Sequence, residues 1–182
     1  MENSNMTKPA RDRIVAFYRH ESTDHRGRTL REMWTWDHDR LEMVHDYIQW
    51  LFPLREPSTF NSSAPLVTDE TVSAFADDAA LRQALKHSLV MMLDFYGLAL
   101  HEEQDGRVRV SESASFASRR GNWVVPYNHN HLRLTRILTS VRTLGLPAYS
   151  IALFDCLEKI RKIRPDAIST ETFGYWQRAA RF

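Results

Sequence analysis

Apolar residues recur along most of this chain at spacings of three and four, the period that places them on one face of an α-helix, so the hydrophobic pattern predicts a mainly α protein. A first helix is expected over 9–19, with Ile14, Phe17 and Tyr18 on its apolar side. Thr29 is placed to cap a second helix carrying Leu30, Met33 and Trp34, and Asp37 a third that runs to Phe52 and ends at Pro53. Two stripes of that third helix are apolar: Leu41, Val44, Ile48, Leu51 and Phe52 form one, and Met43, Tyr47 and Trp50 the other. A helix apolar on two sides belongs near the middle of a bundle. Its remaining stripe is Asp39, Glu42, Asp46 and Gln49, with His45 alongside, and is the first candidate site.

Pro53, Pro57 and Pro65 make 54–65 an extended connection. Thr68 or Asp69 then caps a short helix burying Val72 and Phe75. Asp77 or Asp78 caps the longest helix, with Leu81, Leu85, Leu89, Met92, Leu93 and Tyr96 inside and Gly97 as its left-handed stop. The period changes to two around Asp105-Gly106, with Leu98 and Leu100 before and Val108 and Val110 after, which predicts one small β-hairpin near 98–110. The stretch 111–127 has no period and reads as a long serine-rich, basic loop anchored by Phe116 and Trp123. Asn128 or Asn130 caps a helix burying Leu134, Ile137, Leu138 and Val141, which stops at Gly145. Pro147 opens another, through Ile151, Phe154, Leu157 and Ile160 to Pro165, and Ser169 a last one with Phe173 and Trp176. The expected architecture is a mainly α, single-domain irregular bundle of about seven helices over 9–182, with that hairpin, behind a flexible tail at 1–8.

Composition narrows the class. With 43% hydrophobic residues in 182, the chain can bury one substantial core without disulfides or a structural metal. Its single cysteine, Cys156, falls within the apolar pattern and reads as a buried thiol in a reducing compartment. The polar start lacks the apolar stretch of a secretory signal, and no run approaches the roughly 18 apolar residues that span a bilayer. No transmembrane segment and a cytoplasmic location are therefore expected. Net charge is +1, but 11 basic and 18 acidic side chains leave −7 over 1–105, while seven arginines against Glu112 leave +6 over 106–145. Such asymmetry predicts either internal pairing or an anionic partner for the basic stretch.

Catalytic templates are missing. The Glu42-x-x-His45 step of carboxylate-bridged di-iron bundles has no second copy, and there is no His-Glu-x-x-His, Cys-x-x-Cys, Gly-x-Ser-x-Gly or phosphate-binding glycine loop. No cofactor, no metal and no enzymatic activity are expected. The second candidate site is the start of the helix near Asn128, whose free N–H groups favour an anion although His129, His131 and Arg133 crowd its first turn. A negative group must lie close by, and the acidic stripe of the third helix is the internal source.

The block His45-Asp46-Tyr47-Ile48-Gln49-Trp50-Leu51-Phe52-Pro53-Leu54-Arg55-Glu56-Pro57-Ser58, together with Asn128-His129-Asn130-His131-Leu132-Arg133-Leu134-Thr135-Arg136-Ile137-Leu138, resembles the conserved region of the opioid growth factor receptor family. Further matches run from Ile14-Val15-Ala16-Phe17-Tyr18 through Phe95-Tyr96-Gly97-Leu98. The resemblance implies a compact helical domain, and its animal members are described as receptors for a small opioid pentapeptide. It therefore implies a binding or regulatory module with a short, enkephalin-like peptide as partner. Because the chain ends soon after these motifs, the domain is expected to stand alone.

The ligand-binding candidates are Glu42, His45, Asp46, Gln49, Trp50, Asn128, Asn130, Arg133 and Arg136, meeting in a concave site between the 37–52 and 129–144 helices. Trp50 and Tyr47 are expected to supply aromatic surface, and Arg133 or Arg136 a cation. Two other classes compete with this reading. One is nucleic-acid or phosphate binding by 107–142, with Phe116 and Trp123 stacking on bases. The other is an enzyme using His45 with Glu42 or Asp46 as an acid and base pair.

Overall fold

Capping side chains set where the helices begin. The computed structural model describes residues 12–182; the expected tail at 1–8 and the start of the first expected helix, 9–11, lie outside them. Asp12 accepts from the N–H groups of Ile14 and Val15 and opens α1, Arg13–Tyr18. Thr29 opens α2, Leu30–Met33, and Asp37 opens α3, His38–Met43. After α4, Ile48–Leu51, a reciprocal Thr68 and Thr71 box opens α5, Asp69–Asp77, and Asp78 opens α6, Ala79–Tyr96. Strands β1, Leu98–Glu102, and β2, Val108–Glu112, follow, then α7, Phe116–Arg119, with one 3-10 turn, Arg120–Asn122. The chain closes with α8, Asn130–Thr143, α9, Pro147–Ile163, and α10, Thr170–Arg181, the last capped by Ser169.

The protein is mainly α with a two-stranded antiparallel hairpin, in which Leu98 faces Glu112, Leu100 faces Val110 and Glu102 faces Val108. Helix α6 contacts α1, α5, α7, α8 and β1, while α8, α9 and α10 pack on one another and α9 also covers β2. Phe95 and Tyr96 at the end of α6 continue edge to face into Trp123 and Phe116 of the α7 segment. Phe116 and Trp123 do anchor 111–127, but that stretch is no plain loop, since β2 reaches Glu112 and α7 with its 3-10 turn lies inside.

The helix expected over 37–52 is two helices. Val44 is extended, with φ −87° and ψ 132°, and 44–47 leaves the helical path. Arg133 supplies the reason. In an unbroken helix the oxygens of Leu41, Glu42 and Val44 would accept from the N–H groups four residues on. Here they accept from the Arg133 guanidinium instead, at 2.9, 3.3 and 3.0 Å. A four-residue helix such as α4 does not stand alone; burial of all four of its residues, Ile48, Gln49, Trp50 and Leu51, holds it.

Other arginines repeat the device. Arg82 donates to the oxygens of Phe75 and Ala76 at the end of α5, Arg119 to Phe95 at the end of α6, Arg136 to Phe52 beyond α4, and Arg142 to Ala179 near the end of α10. A cation at a helix C-terminus satisfies free carbonyl groups and complements the macrodipole. Much of the basic stretch is thereby used on main-chain dipoles rather than on carboxylates.

Candidate functional site

Helix α8 presents its first turns to the broken segment. Asn128 accepts from the Asn130 N–H at 2.9 Å and so serves the helix start, while Asn130 lies fully buried and donates to Glu42 Oε2 at 3.2 Å. The negative group that the first turn requires is Glu42, which also meets His129 Nε2 at 3.3 Å and Arg133 Nη1 at 3.8 Å. Burial, and then the Arg133 charge, lower the pKa of His129 against the pull of Glu42, so its ring is neutral at pH 7. His131 is buried and lowered for the same first reason; its Nε2 donates to the Trp123 oxygen at 2.8 Å. With these rings neutral, Arg133 is the one cation left in the first turn of α8.

Arg133 is 5% exposed and engaged on every side, since it also bonds Asn130 Oδ1 at 3.3 Å and His45 Nδ1 at 3.2 Å. A guanidinium only donates, so His45 Nδ1 accepts and its hydrogen sits on Nε2. His45 is therefore oriented by a cation, and its Nδ1 partner is Arg133 rather than the Glu42 or Asp46 of the expected acid and base pair. Asp46 does not join this cluster. It faces the 24–28 loop, where it pairs with Arg28 at 2.8 Å, Arg26 at 3.2 Å and His25 at 3.3 Å. Burial alone would raise the Asp46 carboxyl, but the hydrogen bond and charge of Arg28, with Arg26 and His25, outweigh it and hold the group below its ordinary value.

Two aromatic expectations are corrected. Trp50 is 2% exposed, packs edge-on against Phe17 and donates to His25 Nδ1 at 3.1 Å. Tyr47 is fully buried and bonds the Leu41 oxygen at 3.0 Å. The break at 44–47 turns both rings into the core, so neither supplies surface. Phe116 and Trp123 are likewise buried and cannot stack on bases.

A cleft of about 430 Å³ does lie between the α4 segment and α8, within the span of roughly 300–1,000 Å³ usual for ligand pockets. His45, Gln49, Arg133 and Arg136 line it; Glu42, Asp46, Trp50, Asn128 and Asn130 do not. With its amide nitrogen turned inward, Gln49 donates to the oxygens of His45 and Asp46 at 3.3 and 3.2 Å and braces one wall. Thr135 and Thr139 spend their hydroxyls on oxygens one helical turn back. Ile48, Leu54, Pro57, Phe60 and Leu132 form the apolar part, with Phe60 82% and Leu132 60% exposed. None of these five was among the expected site residues. Leu132 lies off the buried stripe of its helix, and Phe60 is an isolated aromatic in a polar connection; both carry a signal of apolar surface with no core to enter. Among the described residues no three His, Cys, Asp or Glu side chains converge as a metal set.

Comparison with known proteins adds the relationship. The family described as the opioid growth factor receptor (OGFr) conserved region matches residues 14–181. The chain is 41% identical to the opioid growth factor receptor of Mus musculus over 120 residues, which are 66% of this chain and 18% of that protein. For the Homo sapiens receptor the identity is 38%, over 66% of this chain and 17% of that one. Opioid growth factor receptor-like protein 1 of Mus musculus is 36% identical over 126 residues, 66% of this chain and 25% of that protein. The chain thus matches a quarter or less of the length of these relatives. No solved structure matches it.

Proposed function

The chain belongs to the opioid growth factor receptor conserved-region family, and from that membership and the cleft we propose that it is a non-enzymatic binding and regulatory module that takes a short peptide between the α4 segment and α8. One observation carries the reading: the two motifs of the family resemblance meet at a single cleft with an exposed apolar wall and a polar rim. On this reading residues 9–182 form one domain that works in the cytoplasm, which suits its buried, free Cys156. Among the described residues no helix is long and apolar enough to cross a membrane. The relatives' name makes an opioid growth factor the first ligand to try, with an enkephalin-like peptide as its chemistry.

Calorimetric titration of the purified protein with enkephalin-type and unrelated short peptides tests this. Saturable binding with shifts confined to residues around His45, Phe60 and Arg136 in an NMR spectrum is the expected result. No binding of any peptide at millimolar concentration would overturn the peptide reading, and equal binding of all peptides would remove its opioid part.

A further inference from the structure

One cation in the cleft is largely unspent. Arg136, half-buried on α8, donates to the Phe52 oxygen at 3.1 Å, its one hydrogen bond among the described residues. No carboxylate pairs with it there, and burial lowers its pKa to about 10 against only the charge of Glu56. The guanidinium remains charged at neutral pH with a planar fork of N–H groups to offer. Arg133, by contrast, is used up on main-chain oxygens, Glu42 and His45, and His129 is neutral. The cleft therefore presents one available positive charge beside an apolar wall.

We propose that the cleft holds the C-terminal residue of a short peptide, with its free carboxylate on Arg136 and its apolar side chain against Leu54, Pro57 and Phe60. This rests on the reading of the cleft as a peptide site. The charge count favours a monoanion, because a phosphate brings about −1.5 to −2 at neutral pH and needs more cation than one arginine. A chain terminus also carries its carboxylate and its side chain on one Cα, so a single residue meets both walls of a narrow cleft. An aspartate or glutamate side chain would need a second residue to supply the apolar group. Carboxylate on guanidinium is a two-pronged match that an amide cannot reproduce.

The test uses the whole chain and short N-acetylated peptides ending in leucine, each as the free acid and as the C-terminal amide. The free acid should bind at least about tenfold more tightly, as one charge-assisted bidentate contact implies. R136Q should lose that preference while keeping its affinity for the amide, with circular dichroism confirming the fold. R136K retains charge without the fork and should keep only part of the preference, which serves if the glutamine variant fails to fold. Equal affinity of acid and amide for the unaltered protein would overturn the carboxylate anchor and leave the cleft reading standing. So would an undiminished preference in R136Q, or tighter binding of an amidated phosphopeptide. Absence of binding by every peptide would instead remove the cleft reading, and the anchor with it.

Discussion

Arg133 shows how one side chain can take the place of a length of helix. Its guanidinium occupies the oxygens of Leu41, Glu42 and Val44, so the main chain of 44–47 is free to leave the helix without burying unpaired acceptors. Arg133→Leu should destabilise the protein by about 2 kcal/mol or more, since the Leu41 oxygen keeps the Tyr47 hydroxyl while those of Glu42 and Val44 lose their partner, and each main-chain oxygen left buried and unpaired costs about 1–3 kcal/mol; the urea unfolding midpoint at neutral pH reads this. Arg133→Lys should fall between, because an ammonium cannot span three acceptors held in a fork. Asp46 behaves differently. Its side chain is 26% exposed, so Asp46→Asn should cost only about 1–2 kcal/mol at neutral pH. The carboxyl is held low in the folded protein, so this stabilisation is complete above the ordinary aspartate pKa of about 3.9 and fades as pH falls below it through the lowered native value. Thermal unfolding of the two proteins from pH 7 to pH 2 should therefore converge at the acid end; a constant gap would show that the loss is not the carboxylate's charge.

At the scale of elements, most starts and stops were legible. Thr29, Asp37, Asp78 and Ser169 cap where the residue types and spacing place them, and Gly97 ends α6 in the left-handed region at φ 76°. Gly97 has a second reason to be glycine, because a Cβ there would stand 2.7 Å from the Phe116 Cα. Gly97→Ala should thus cost about 2–4 kcal/mol, combining left-handed strain with a main-chain clash that cannot be relieved by a rotamer. Gly106→Ala is the control: φ is 83° but nothing lies within 4 Å, so only about 1–2 kcal/mol of strain is expected. Melting temperatures of the two variants separate the contributions. The division of 37–52 into α3 and α4 was not legible. Its apolar residues satisfy a helical period on both sides of the break, and period alone cannot register a donor that arrives from α8.

At the scale of the molecule, charge asymmetry pointed to an anionic partner or to internal pairing, and the fold chose a third use. Arg119, Arg133, Arg136 and Arg142 all donate to main-chain oxygens, most of them at helix ends, which leaves Arg107, Arg109 and Arg120 as the exposed arginines of the stretch. Arg107 is in turn paired with Glu103 and Asp105. Two scattered cations and no exposed Phe116 or Trp123 make a poor footprint for a phosphate chain. Neither duplex nor single-stranded DNA should be retarded in a mobility assay at about 0.15 M salt. A retarded complex that dissolves steeply as salt rises would reverse this conclusion.

The sequence by itself determined the class of fold, most of the caps, the hairpin turn at Gly106, and the neighbourhood of the two motifs, because these follow from local periodicity, capping chemistry and the need of the α8 first turn for a negative group. Glu42, rather than Asp46, fills that need. Only the tertiary structure decided this, because which of two carboxylates reaches α8 depends on the bend at 44–47, and the bend depends on Arg133. The same bend buries Tyr47 and Trp50 and leaves Phe60 and Leu132 at the cleft. A hydrophobic pattern specifies which residues shun water when their element is whole; it cannot say which way they turn once a distant side chain has broken the element.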